Sequence, residues 1–181
     1  MIRTPFGLPL AFFLVAPVAH AQAAPARMAL GAGPTVALPQ GDADDYSGTS
    51  LGARLVFVFW ATPMIGVVGS FDYVFVNADE DVVGDADVGY YAVDVGARIT
   101  TPRPAALKPF GELLVGRHTL SVDSGFADDS ESELGLRLGG GGAYQLGARL
   151  VGTAQLSYSH AEIDNADVDA LMLDFVLSGQ F

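Results

Sequence analysis

From about residue 27 to the carboxy terminus, apolar residues alternate with small or polar ones at a period of two, and no stretch sustains a 3.6-residue repeat. That period belongs to β-strands, whose successive side chains point to opposite faces. Eight such runs cover 27–38, 50–60, 64–77, 88–100, 109–122, 132–146, 149–160 and 168–181. In the last, Leu171, Leu173, Phe175, Leu177 and Phe181 share a face opposed by Met172, Asp174, Val176, Ser178 and Gln180. The same scheme sets Leu51, Leu55, Phe57 and Phe59 against Arg54, and Leu134, Leu136 and Leu138 against Glu133 and Arg137. The runs are 11 to 15 residues long. A tilted strand crosses a bilayer in about 9–11, so each is long enough to cross and protrude.

The connections alternate too. Segments 39–49, 78–87, 123–131 and 161–167 are rich in Asp, Ser and Gly, whereas Ala61-Thr62-Pro63, the proline-containing 101–108 and Gly147-Ala148 are mostly shorter. This is the pattern of a closed up-and-down barrel with long loops at one end and short turns at the other. An even strand count puts both chain ends on the short-turn side. Strand five resists a simple reading, because Glu112 and Arg117 are five apart and cannot share a face. The sequence predicts either a bulge at Gly116 or a rim position for Arg117, since an arginine facing lipid at mid-depth costs about 2–4 kcal/mol.

Alternation alone does not say which face is wet; a soluble lipocalin-like barrel has the same period with its apolar face inward. Composition decides this. Half of the 181 residues are hydrophobic, mean hydropathy is +0.36, and only 17% are charged. A soluble domain carries about 25–35% charged residues on its surface. The strand charges nearly balance, Arg54, Arg98, Arg137 and Arg149 against Asp72, Asp94, Glu112, Glu133 and Asp174. Such a set suits a narrow lumen in which carboxylates and guanidinium groups pair. Aromatic residues fall at the predicted strand ends: Tyr73, Phe75, Tyr91 and Tyr158 toward the long loops, Phe59, Trp60, Tyr144 and Phe181 toward the short turns. Two girdles of this kind mark the two interfaces of a membrane.

Residues 1–21 read as a cleaved secretory signal, with Arg3, an apolar run around Phe12 and Phe13, and Ala19-His20-Ala21 at the cut; residues 22–181 form the barrel domain. Without Arg3, eight bases face twenty-one acids, a net charge of −13. Nucleic acid is thereby excluded as a partner. The absence of cysteine removes disulfides and thiol chemistry.

The terminal strand, with Leu173, Phe175, Leu177 and the final Phe181 on one face, resembles the carboxy-terminal assembly signal of bacterial outer-membrane barrels. Together with Pro109-Phe110-Gly111-Glu112 and the Gly139–Gly142 run, it makes the chain similar to small eight-stranded outer-membrane proteins of the OmpA transmembrane domain, OmpX and opacity-protein type. The resemblance implies an all-β, antiparallel transmembrane barrel in the bacterial outer membrane. Its implied partners are the outer-membrane assembly machinery, membrane lipid and lipopolysaccharide, and it implies no cofactor.

An eight-stranded barrel is just wide enough to be filled by side chains, so a diffusion porin is excluded and the nine strand charges read as a lumen plug. A narrow gated channel is the weaker alternative. Some barrels of this size modify lipid A, and a deacylase would pair a serine with a general-base histidine. Ser159-His160-Ala161-Glu162 offers these groups, but adjacent strand residues face opposite ways and Glu162 stands where a serine is needed. His118 is the only other histidine left after processing. The expectation is a non-enzymatic barrel. The long connections hold fifteen acids and no Lys or Arg, among them Asp42, Asp44, Asp45, Asp79, Glu80, Asp81, Asp85, Asp128 and Asp164. They read as solvated acidic loops, with diffuse divalent-cation binding as a secondary possibility.

Overall fold

A computed structural model describes residues 27–41, 47–78, 87–102, 106–123, 128–163 and 166–181. Eight strands, β1 (Met28–Gln40), β2 (Ser47–Trp60), β3 (Ile65–Ala78), β4 (Asp87–Thr100), β5 (Leu107–Asp123), β6 (Asp128–Gln145), β7 (Leu150–Ile163) and β8 (Ala166–Gln180), pair antiparallel in chain order. β1 also pairs with β8, which closes the sheet into a barrel. Closure removes the open edges that would otherwise recruit another strand. Every predicted run is a strand. The signal segment 1–21 lies outside the described residues.

One residue pair shows which face is which. Leu55 is 52% exposed while its neighbour Arg54 is 1% exposed. The same inversion runs around the ring: Val67, Phe71, Val93, Val95, Leu113, Val115, Leu136, Leu138, Leu156 and Phe175 are exposed outside, and Asp72, Asp94, Glu112, Arg137 and Asp174 are buried inside. A barrel with charge in its interior and an apolar outer belt is built for lipid, and the soluble lipocalin-like alternative is ruled out.

The first and last described residues meet on the short-turn side, where Arg27 N donates to Phe181 O at 3.0 Å and Phe181 N donates to Met28 O at 2.9 Å. The turn after β2 is held by Thr62, whose Oγ1 accepts from the N–H groups of Met64 and Ile65 at 3.2 and 3.0 Å. Two apolar clusters line part of the lumen. Ala29, Val56, Val58, Val68, Leu114 and Val176 form a lower cluster, and Ala37, Val74, Tyr90, Ala92 and Met172 an upper one toward the loops.

Three expectations are corrected, the first in part. β4 and β5 pair without interruption from Asp87↔Asp123 to Thr100↔Phe110, so of the two alternatives for strand five the bulge at Gly116 is overturned, and Arg117 faces outward. Glycine is needed there for another reason, since a Cβ at Gly116 would lie 2.4 Å from Asp94 Oδ1 and 2.0 Å from Val93 O. Secondly, Trp60 packs against the lower lumen cluster and not in an outer girdle, because it falls on the inward parity of β2. Thirdly, the strands run further than the apolar alternation does. Asp87, Asp123, Asp128, Asp129, Glu131, Glu162 and Asp167 belong to strands and not to loops, because the backbone ladder continues past the apolar belt. Asp42, Asp44, Asp45, Asp79, Glu80, Asp81, Asp85 and Asp164 lie outside the described residues.

Candidate functional site, the ionic lumen

Alternation alone delivers charge to the interior. Arg54 on β2 stands directly opposite Asp72 on β3, and Arg98 on β4 opposite Glu112 on β5. The second pair bonds as the register suggests: Arg98 Nε and Nη2 both donate to Glu112 Oε2, at 3.0 and 2.7 Å, and its guanidinium lies 4.1 Å from the centre of the Phe110 ring. The first pair does not. Arg54 Nη1 stays 3.9 Å from Asp72 and instead reaches across the lumen, donating to Asp174 Oδ2 on β8 at 2.9 Å and through Nη2 to Glu112 Oε1 at 3.0 Å. Gln155 on β7 also donates to Glu112 Oε1, and Thr35 on β1 donates to Asp174 Oδ1 at 2.5 Å.

Toward the loops the pattern shifts. Arg137 on β6 donates through Nη1 to Asp72 Oδ2 at 2.7 Å, and its Nη2 lies 3.6 Å from Asp94 Oδ2. Asp94 is held from the other side by His118, whose Nε2 is 2.9 Å from Oδ1. The Nδ1 of that ring is 2.7 Å from the Tyr90 hydroxyl, which is 3.3 Å from Ser159 Oγ. A carboxylate can only accept, so Nε2–H donates to Asp94. The His118 ring lies on bare backbone, for a Cβ at Gly135 would be 2.4 Å from Nδ1.

Arg54, Asp72, Asp94, Arg98, Glu112, Arg137 and Asp174 are thus buried together inside the barrel. Glu133 and Arg149 are not with them; both are exposed. Glu133 has the inward parity but sits beyond the packed part of the lumen, and Arg149 falls in the turn between β6 and β7. Thr35, Tyr90, His118, Gln155 and Ser159 were missed as lumen residues. Reading β5 without a bulge would have found His118, which shares the parity of Glu112. Ser159 and His160 face opposite ways, as strand geometry dictates. Ser159 is 2% exposed, while His160 lies outside with Nδ1 2.7 Å from Asp169 Oδ1. The hydrogen-bonded series Asp94–His118–Tyr90–Ser159 contains the elements of a proton relay, yet its four members are buried with no face open to a substrate. Leu173, Phe175, Leu177 and Phe181 all expose apolar surface on the outer wall of the closing strand, between 36% and 64%.

A closed eight-stranded barrel with an apolar belt and an ionic interior defines a small outer-membrane protein. The sequence matches the family described as "Outer membrane protein beta-barrel domain" over residues 6–181, and the chain belongs to that family. Among solved structures it is similar to Neisserial surface protein A, with a TM-score of 0.71 and 14% identity over 85% of this chain and 97% of that one. Ail, the attachment invasion locus protein of Yersinia pestis, has a TM-score of 0.58 and 23% identity over 84% and 98%. OprG of Pseudomonas aeruginosa has a TM-score of 0.55 and 15% identity over 85% and 95%. At these identities the likeness is one of fold. No curated protein is similar in sequence. The protein is an integral β-barrel of the bacterial outer membrane.

Proposed function

We propose that the protein is a non-catalytic outer-membrane scaffold whose lumen is plugged by its own side chains and whose acidic loops are its working surface. The observation that carries this reading is the Glu112 centre, where Arg54, Arg98 and Gln155 converge on one carboxylate from β2, β4 and β7 and tie facing walls together. Side chains that bridge a lumen this narrow leave no open path, and the apolar clusters above and below them exclude ions further. The loop acids point to a surface that repels polyanions and associates weakly with divalent cations. Residues 1–21 act as the export signal, and the apolar face ending in Phe181 serves recognition by the assembly machinery. Lipid A chemistry is disfavoured by the separation of Ser159 from His160 and by the burial of His118.

The test is planar-bilayer conductance of the refolded protein beside its heat-modifiable gel mobility. Folded protein with no steps above baseline is expected. Stable unitary currents from the folded band would overturn the plug, and a lipid A acyl change that depends on His118 or His160 would overturn the non-catalytic reading.

A further inference from the structure

We infer that Arg117 is the contact for a phosphate group of the outer-leaflet glycolipid lipid A; this rests on the reading of lipopolysaccharide as a membrane partner. Arg54, Arg98 and Arg137 face inward and each engages a carboxylate. Arg117 faces outward, is exposed, and has no hydrogen bond or ion pair among the described residues. Its rung neighbours are Val93 and Leu134, which are 55% and 76% exposed on the same apolar wall.

Height decides what such a group can meet. Leu107, on the rung of Tyr144, marks the short-turn end of the outward face of β5. Arg117 is ten residues further along. At about 3.4 Å per residue and a tilt of about 45°, ten residues climb about 24 Å. The apolar band of such barrels is about 25 Å tall, so the guanidinium reaches its upper boundary, at the outer-leaflet headgroups, and not mid-depth where it would be costly. Tyr91, Thr119 and Ser132 share the rung two residues higher on the same face, where the Thr119 and Ser132 hydroxyls bond each other at 2.8 Å.

Charge narrows the ligand. An outward imidazole at this end, His160, is engaged by Asp169, and the strand extensions above carry Glu131, Glu162 and Asp167. An anion held here is opposed by those carboxylates and needs a dedicated cation. Arginine meets a phosphate with two parallel N–H donors. The phosphate available at this height in an outer membrane is that of lipid A. Phospholipid headgroups of the inner leaflet lie at the other end of the barrel.

Native mass spectrometry of the protein refolded in detergent, titrated with bisphosphorylated lipid A, dephosphorylated lipid A and phosphatidylglycerol, tests this. Wild-type protein is expected to retain bisphosphorylated lipid A preferentially, Arg117→Gln to weaken retention about tenfold, and Arg117→Lys to weaken it less. All three are expected to keep heat-modifiable mobility, since the side chain is exposed. Equal retention by wild type and Arg117→Gln, with lipid A still preferred, would overturn the role of Arg117 and leave the lipopolysaccharide reading intact. Equal retention of the dephosphorylated lipid would overturn phosphate as the ligand. Equal retention of phosphatidylglycerol would overturn the outer-leaflet assignment and the lipopolysaccharide reading with it.

Discussion

Glu112 and Arg137 are buried charges in the same lumen, 3% and 0% exposed, yet protein surrounds them in opposite ways. Glu112 accepts four donors, from Arg54 Nη2, Arg98 Nε, Arg98 Nη2 and Gln155 Nε2. Arg137 makes one hydrogen bond; among the described residues its Nε and Nη2 have no hydrogen-bond partner, Nη2 keeping only the 3.6 Å ion-pair contact with Asp94. Asp72 Oδ1, Asp94 Oδ2, Ser70 Oγ and Ser157 Oγ likewise have no hydrogen-bond partner there. A buried ion pair adds stability only when its remaining lone pairs and protons are satisfied, because desolvation of each ion opposes folding. By that criterion the lower half of the ionic tier fixes the barrel, and the upper half is tolerated by it.

The largest effect is therefore expected at Glu112. Glu112→Leu strands Arg98 as a buried cation, leaves Arg54 with Asp174 alone, and should lower unfolding free energy by about 3–5 kcal/mol. Urea titration in lipid vesicles reads this well, followed by fluorescence of Trp60, the single tryptophan, which packs on the lower cluster. Arg137→Met removes a guanidinium that is already under-bonded and leaves Asp72 to re-pair, at a cost of about 1–3 kcal/mol. A loss at Arg137 equal to or greater than that at Glu112 would collapse the distinction between the two halves. Gly135→Ala sharpens the upper half alone, since its methyl group must displace the His118 ring. Overpacking of this kind costs about 1–3 kcal/mol, and His118→Ala in the same chain should relieve most of it in a double-mutant cycle. Smallest of all, Arg117→Gln on the outer wall should leave the urea midpoint unchanged. A shift there would mean that the exposed guanidinium is part of the fold.

The strand count, the two faces and the inward parity of most lumen charges were legible in the sequence because a period of two states them directly. Leu55 beside Arg54 is enough to show it. Pairings across the lumen were not legible, because they depend on the diameter of the ring and not on any spacing along it. Arg54 has Asp72 as its register neighbour and still bonds to Glu112 and Asp174 from more distant strands. His118 was hidden for a different reason. Placing the charge of Arg117 inside demanded a bulge, and the bulge would have turned His118 outward. The unbroken β4–β5 register restores both. The ends of the strands were under-read, since hydrophobic alternation fades where hydrogen-bonded backbone does not.

Thr35 and Asp174 join across the β1–β8 seam, and Asp174 also holds Arg54. In chain order Arg54 emerges early and Asp174 almost last. The last strand thus supplies two things at once: the backbone ladder that seals the ring and the carboxylate that completes the surroundings of Arg54.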